Sequence, residues 1–150
     1  MEISDSIKKL IKNWEGCRLK AYVCPAGVLT IGYGHTGPDV RAGMVITQKE
    51  ADRLFDEDLQ KFAGKVMPAF KGVSLKQCQA DALISLSYNI GSLGVKAPTL
   101  VRKVKNNPDD PTIRDEFMKH VNARVGGVLK RLPGLVSRRQ AEANHYFSQS

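Results

Sequence analysis

A chain of 150 residues, 42% apolar and 25% charged, is long enough for one domain with its own core and reads as neither disordered nor collagenous. Its 23 basic and 15 acidic residues leave a net charge of +8, which favours polyanions: nucleic acid, anionic lipid or acidic wall polymer. No apolar run approaches the ~18 residues of a membrane span, and Lys8, Lys9 and Lys12 break up the first segment too often for a signal peptide.

The first expected element is a helix, with Ile3, Ile7, Leu10, Ile11 and Trp14 on one face, a cap among Ser4, Asp5 and Ser6, and a stop at Gly16. Residues 17–35 change character. Tyr22, Val23, Val28, Leu29, Thr30 and Ile31 favour strands, and Pro25-Ala26-Gly27 reads as the turn between two of them. This small antiparallel sheet ends in Gly32-Tyr33-Gly34-His35-Thr36-Gly37. A capping box at Thr47-Gln48-Lys49-Glu50 opens a helix carrying Ala51, Leu54, Phe55, Leu59 and Phe62. A second such pattern, Ser74-Leu75-Lys76-Gln77, opens a helix through Tyr88. Pro98 starts another through Val104, Thr112 one through about Val121, and the last spans Leu135 to Phe147. The organisation is α+β: one domain over 1–150, with a small sheet at about 17–35 and a helical part at about 47–147 plus the N-terminal helix.

Cys17, Cys24 and Cys78 are odd in number and lack a Cys-x-x-Cys pair, which makes neither a disulfide framework nor a zinc site. Drawn as a strand, Cys17 and Cys24 stand about 23 Å apart at ~3.3 Å per residue, beyond the reach of a bridge, so a reducing compartment is expected. His120 and His145 have no partner at ligand spacing, so no metal and no cofactor is expected.

The chemistry centres on Trp14-Glu15-Gly16. A carboxyl at a helix C-terminus, beside an indole, meets the negative end of the helix dipole and apolar neighbours, and both favour the protonated acid. A glycosidase acid needs such tuning. A lone glutamate there is equally an exposed helix-end acid. The residues that follow add Cys24 and Thr30 in the spacing Glu-x8-Cys-x5-Thr, with Thr30-Ile31-Gly32-Tyr33-Gly34-His35 behind them. This block resembles the catalytic region of the phage lysozymes of the T4 and P22 type, glycoside hydrolase family 24. The resemblance continues through Tyr88-Asn89-Ile90-Gly91, Pro98-Thr99-Leu100 and Gly134-Leu135-Val136-Ser137-Arg138-Arg139-Gln140-Ala141-Glu142, and so covers nearly the whole chain.

The resemblance implies a lysozyme-like fold, in which a small sheet lobe packs against a larger helical lobe with the cleft between them. It implies a muramidase that cuts the β-1,4 bond between N-acetylmuramic acid and N-acetylglucosamine in peptidoglycan. Glu15 is then the general acid, and Thr30 holds the attacking water through its hydroxyl. Cys24 stands where many relatives carry Asp, with three roles open to it: base, transient nucleophile or tolerated neighbour. His35, Thr36, Tyr88, Asn89 and Thr99 fall at the implied sugar-binding positions. For His35 a hydrogen-bonded structural role is favoured over that of a base or ligand.

Gly32-Tyr33-Gly34-His35-Thr36-Gly37 also fits the dinucleotide pattern G-x-G-x-x-G, but no helix opens at its end to receive a pyrophosphate, so the glycines instead allow close approach of backbone and sugar. Between Lys119 and Arg139, cations interleave with Val125, Val128, Leu129, Leu132 and Leu135. A core-packed face with solvated cations is favoured there over a membrane-lying segment. Such cations also suit an anionic outer-membrane or wall surface. The missing export segment implies an enzyme kept in the host cytoplasm until a separate holin releases it to the periplasm, acting as a monomer. The rival readings are a basic nucleic-acid-binding module, for which no motif is present, and the same chemistry used as an antibacterial toxin.

Overall fold

The computed structural model describes residues 2–148, and the chain forms two compact units. One runs from Lys8 to Lys61; the other joins the residues up to Ile7 with those from Phe62 onward. The boundaries fall inside two helices, α1 (Asp5–Glu15) and α2 (Gln48–Val66). α1 follows its apolar periodicity: Ile3, Ile7 and Ile11 are buried, and it ends where expected, with Gly16 at φ +68° donating its N–H to Lys12 O at 2.9 Å.

In the first unit, β1 (Arg18–Val23), β2 (Leu29–Gly32) and β3 (His35–Thr36) form an antiparallel sheet in that order. The turn joining β1 to β2 is closed by Cys24 N–H to Val28 O at 3.0 Å and Gly27 N–H to Cys24 O at 2.8 Å. Along the other edge of β1, Ala21 N–H bonds Met44 O and Ile46 N–H bonds Leu19 O. Ile31, Val40, Ile46, Ala51 and Leu54 make the core between this sheet and α2. The Thr47 box forms as its spacing requires: the Thr47 hydroxyl accepts Glu50 N–H at 3.1 Å, and Glu50 reaches back to Thr47 N–H.

One side-chain cluster ties β3 to α2. His35 is 6% exposed, with Nδ1 2.7 Å from Asp58 and Nε2 3.0 Å from Asp39. Burial pulls the imidazole's pKa down, but the hydrogen bonds to Asp58 and Asp39 outweigh it and hold it above the ordinary 6.5. The bond from His35 in turn holds the Asp39 carboxyl below its usual 3.8.

The second unit is built around α3 (Gln77–Ile90), whose residues Cys78–Ser87 are all buried, as befits a central helix. It packs against α7 (Pro133–Tyr146). Around them stand α4 (Leu93–Lys96), α5 (Pro98–Asn106) and α6 (Ile113–Phe117). The start of α3 differs from expectation: Ser74 is not its cap. The cap is Lys76, two residues later, where Gln79 accepts the Lys76 N–H at 2.9 Å. α6 is also shorter than expected. After it the chain makes a second hairpin, β4 (Asn122–Val125) and β5 (Val128–Arg131), turned by Gly126 and Gly127 at φ +58° and +82°.

That hairpin corrects the expectation for residues 119–139. Val125, Val128 and Leu129 are 46%, 57% and 59% exposed rather than core-packed, and Arg138 and Arg139 are buried rather than solvated. For the hairpin the reason is local, and for the arginines it is the packing of α7 on α3. Two successive glycines in the left-handed region end any helix there and reverse the chain in two residues.

Arg139, fully buried, donates to Glu142, to Asn89 and to His120 O, while Glu142 also accepts the Ser85 hydroxyl at 2.5 Å. Removing one partner strands a buried charge. Arg139→Ala or Glu142→Ala is expected to cost about 3–5 kcal/mol in urea unfolding. For His35 the raised folded-state pKa makes its stabilisation complete below pH 6.5 and lost as pH rises through the folded value. The melting-temperature gap between the parent and His35→Gln is therefore expected to be wide at pH 5.5 and to shrink by pH 9. A gap that grows with pH would refute the ion-pair account.

Candidate functional site

Glu15 is the last residue of α1 and is half-buried. Its carboxylate lies against the backbone of Gly34: a Cβ built there would stand 3.0 Å from Glu15 Oε1, and Gly34 sits at φ +81°. A side chain at 34 would crowd that carboxylate and would need a backbone angle that residues other than glycine rarely adopt. The sequence pattern expects these glycines to allow close approach, and at Gly34 the neighbour is the Glu15 carboxylate.

Cys24 and Thr30 come together across the β1–β2 turn. Thr30 is 3% exposed, and its hydroxyl donates to Val28 O at 2.9 Å. The Cys24 thiol lies beside the Val28 and Ala26 backbone and the Thr30 side chain, and hydrogen bonding there, from the Val28 backbone first, holds its pKa below the ordinary 9.0. A lowered pKa raises the fraction of thiolate near neutral pH, and the thiolate, not the thiol, is the reactive form. In the β1–β2 register Thr30 is opposite Tyr22, and in the β2–β3 register it is opposite Thr36, which is exposed.

His35 has a carboxylate at each ring nitrogen, so both its hydrogen-bonding positions are taken within this unit. Neither partner was singled out in the sequence. Asp39, four residues on, was within reach of a local argument. Asp58 is distant in sequence and signals nothing by itself.

The remaining expected residues belong to the second unit. Tyr88 packs on Phe62 with ring centroids 5.3 Å apart. Asn89 is exposed and its Oδ1 accepts from Arg139, so half of its amide is committed to the fold. Thr99 lies in the first turn of α5 and is half-buried. A hollow of about 300 Å³ in this unit is lined by Phe62, Lys65, Val66, Ser87 and the stretch 91–94. The cysteines are free: Cys17 is exposed, and Cys78 is buried with its thiol directed to Tyr146 O. Among the described residues no group of three His, Cys, Asp or Glu side chains stands together to hold a metal.

The phage lysozyme family model matches residues 12–142, which takes in Glu15, Cys24, Thr30 and the Arg139–Glu142 pair. The chain is 44% identical over 142 residues to the endolysin of Acyrthosiphon pisum secondary endosymbiont phage 1, covering 95% of each protein. It is 40% identical to the endolysin of Bacillus phage B103 over 99% of its own length, but spans only 55% of that relative. Among solved structures, the endolysin of Escherichia coli O157:H7 phage FAHEc1 superposes with a TM-score of 0.86 at 31% identity, over 100% of this chain and 96% of that one. Helices with a small antiparallel sheet therefore assemble here in the lysozyme-like manner, and the chain belongs to the phage lysozyme family.

Proposed function

We propose that this chain is an endolysin-type muramidase that hydrolyses the β-1,4 bond between N-acetylmuramic acid and N-acetylglucosamine in peptidoglycan, with Glu15 as its proton donor. The observation that carries the reading is the placement of Glu15 at the end of α1 with its carboxylate against Gly34, in the same unit as the hydrogen-bonded Cys24 and Thr30. Glu15 gives its proton to the glycosidic oxygen as that bond breaks. The sugar becomes oxocarbenium-like, and water closes on the anomeric carbon from the other face. Thr30 orients that water, and the Cys24 thiolate takes its proton.

Cys24 fills this role because the turn acidifies it. Hydrogen bonding at the sulfur, from the Val28 backbone first, favours its ionised form. Thr36, Tyr88, Asn89 and Thr99 are the proposed sugar-binding residues. His35 serves them indirectly, by holding the strand next to Gly34. The chain works as one domain and as a monomer. Release from the host cytoplasm by a holin and action in the periplasm complete the reading. No helix among the described residues is long and apolar enough to cross a membrane.

Glu15→Gln is expected to reduce clearing of a peptidoglycan suspension by at least ~10²–10⁴-fold while leaving the melting temperature near that of the parent. Mass spectrometry of the parent's digest is expected to find reducing-end N-acetylmuramic acid. Anhydro-muramic ends would point to a transglycosylase, and freed peptides to neither. Cys24 is tested by pH. Activity needs the thiolate, so it rises with pH through a Cys24 pKa below 9.0. Cys24→Asp moves this acid limb down toward the ordinary carboxylate value of about 3.9. Cys24→Ala loses the limb and most of the rate; turnover at the parental level would leave Thr30 alone in charge of the water.

A further inference from the structure

The β4–β5 hairpin leaves both of its faces largely in solvent: of its eight strand residues only Ala123 is even partly buried. The register pairs Val125 with Val128, Arg124 with Leu129, Ala123 with Lys130 and Asn122 with Arg131. Read from the Gly126-Gly127 tip inward, the order is an apolar rung, a mixed rung, then two rungs that each carry a cation. Rungs of an antiparallel pair are about 3.4 Å apart along the strands. The apolar tip is therefore followed by cations about 3–10 Å behind it. That interval matches the depth of about 5–10 Å between the apolar boundary of a bilayer and its headgroups at which interfacial segments lie.

The charge around the hairpin has one sign. From Lys119 to Arg139 the chain contains no Asp or Glu. Lys119 is neutralised by Glu116 at 2.8 Å, and Arg138 and Arg139 are buried beside Glu142. Arg124, Lys130 and Arg131 remain exposed on the hairpin. At its foot, Arg131, Pro133, Val136 and Ser137 line a shallow hollow of about 400 Å³. Val125, Val128 and Leu129 are about half or more exposed, although folding normally hides such side chains. Three apolar residues and three cations on one short ribbon suit a surface that is oily beneath and anionic on top. A hydrated polyanion would use the cations and leave the apolar tip in water.

We propose that the β4–β5 hairpin docks on an anionic phospholipid surface, burying Val125, Val128 and Leu129 among the acyl chains while Arg124, Lys130 and Arg131 meet the phosphates. This docking does not depend on the chemistry of Glu15, and the test contains no glycosidase assay.

The intact protein is sedimented with vesicles of phosphatidylglycerol and phosphatidylcholine, or of phosphatidylcholine alone, at physiological salt. Binding to the anionic vesicles and not to the neutral ones is expected. Each cation near such a surface contributes about fivefold, so R124Q/K130Q/R131Q should weaken binding about 100-fold. V125S/V128S/L129S keeps every charge and should still lose about tenfold or more. Leu129→Trp should show a blue-shifted emission component on the anionic vesicles that the parent, with Trp14 alone, does not show. Circular dichroism confirms that each variant is folded. Absence of binding to anionic vesicles overturns the proposal. So does undiminished binding of the serine variant together with an unshifted Leu129→Trp, which would make the hairpin a polyanion site instead.

Discussion

A carboxylate packs closely on the backbone of a turn where that turn has no side chain in the way. At Gly34 a Cβ would come within 3.0 Å of Glu15 Oε1, and the φ of +81° is one that other residues rarely adopt. The rest of the sheet unit serves this approach. Gly16 ends α1 so that Glu15 is its last residue. His35, next to Gly34, is clamped by Asp58 of α2 and by Asp39. β3 therefore cannot drift from α2 without breaking charge-assisted hydrogen bonds to a buried imidazole.

The second unit solves a different problem. Its central helix α3 is buried around its circumference, so polar groups that reach this interior must find partners there. Arg139 answers with Glu142, Asn89 and a backbone carbonyl, and Ser85 adds its hydroxyl to Glu142. Asp81 is handled in the same way, by His145, Gln77 and Ser4, which pins the segment before α1. These networks explain why Arg-Arg-x-x-Glu reads as a structural signature rather than as a solvated basic patch. Charge count alone could not separate the two, since buried and exposed arginines add equally to the net charge.

The Cys24 thiol is made more acidic by the turn that it begins. A thiol is a poor hydrogen-bond acceptor, yet a tight turn places backbone groups, that of Val28 first, beside this sulfur and lowers its pKa. The same turn is closed by the Cys24 N–H and carbonyl. Backbone geometry and side-chain acidity are thus set by one five-residue loop.

Much of the local structure was legible in the residues themselves. The apolar spacing of α1, the glycine that stops it, the Thr47–Glu50 box and the Pro25-Ala26-Gly27 turn all act over a few residues, where local chemistry dominates. The Glu15, Cys24 and Thr30 spacing was visible for the same reason. Other features were decided only by tertiary structure. Asp58 becomes the partner of His35 because α2 packs on the sheet core, and no nearby residue announces it. Arg139 is buried because α7 lies against α3, while Arg131, eight residues earlier, stays in solvent. The stretch from Lys119 to Arg139 misled because its spacing suits a packed face, whereas two glycines turn it into an exposed ribbon. Glu15 lies between the two cases. The sequence alone determined that a carboxyl ends the helix; only the folded chain decided which backbone it would touch, because that contact joins positions brought together by the sheet.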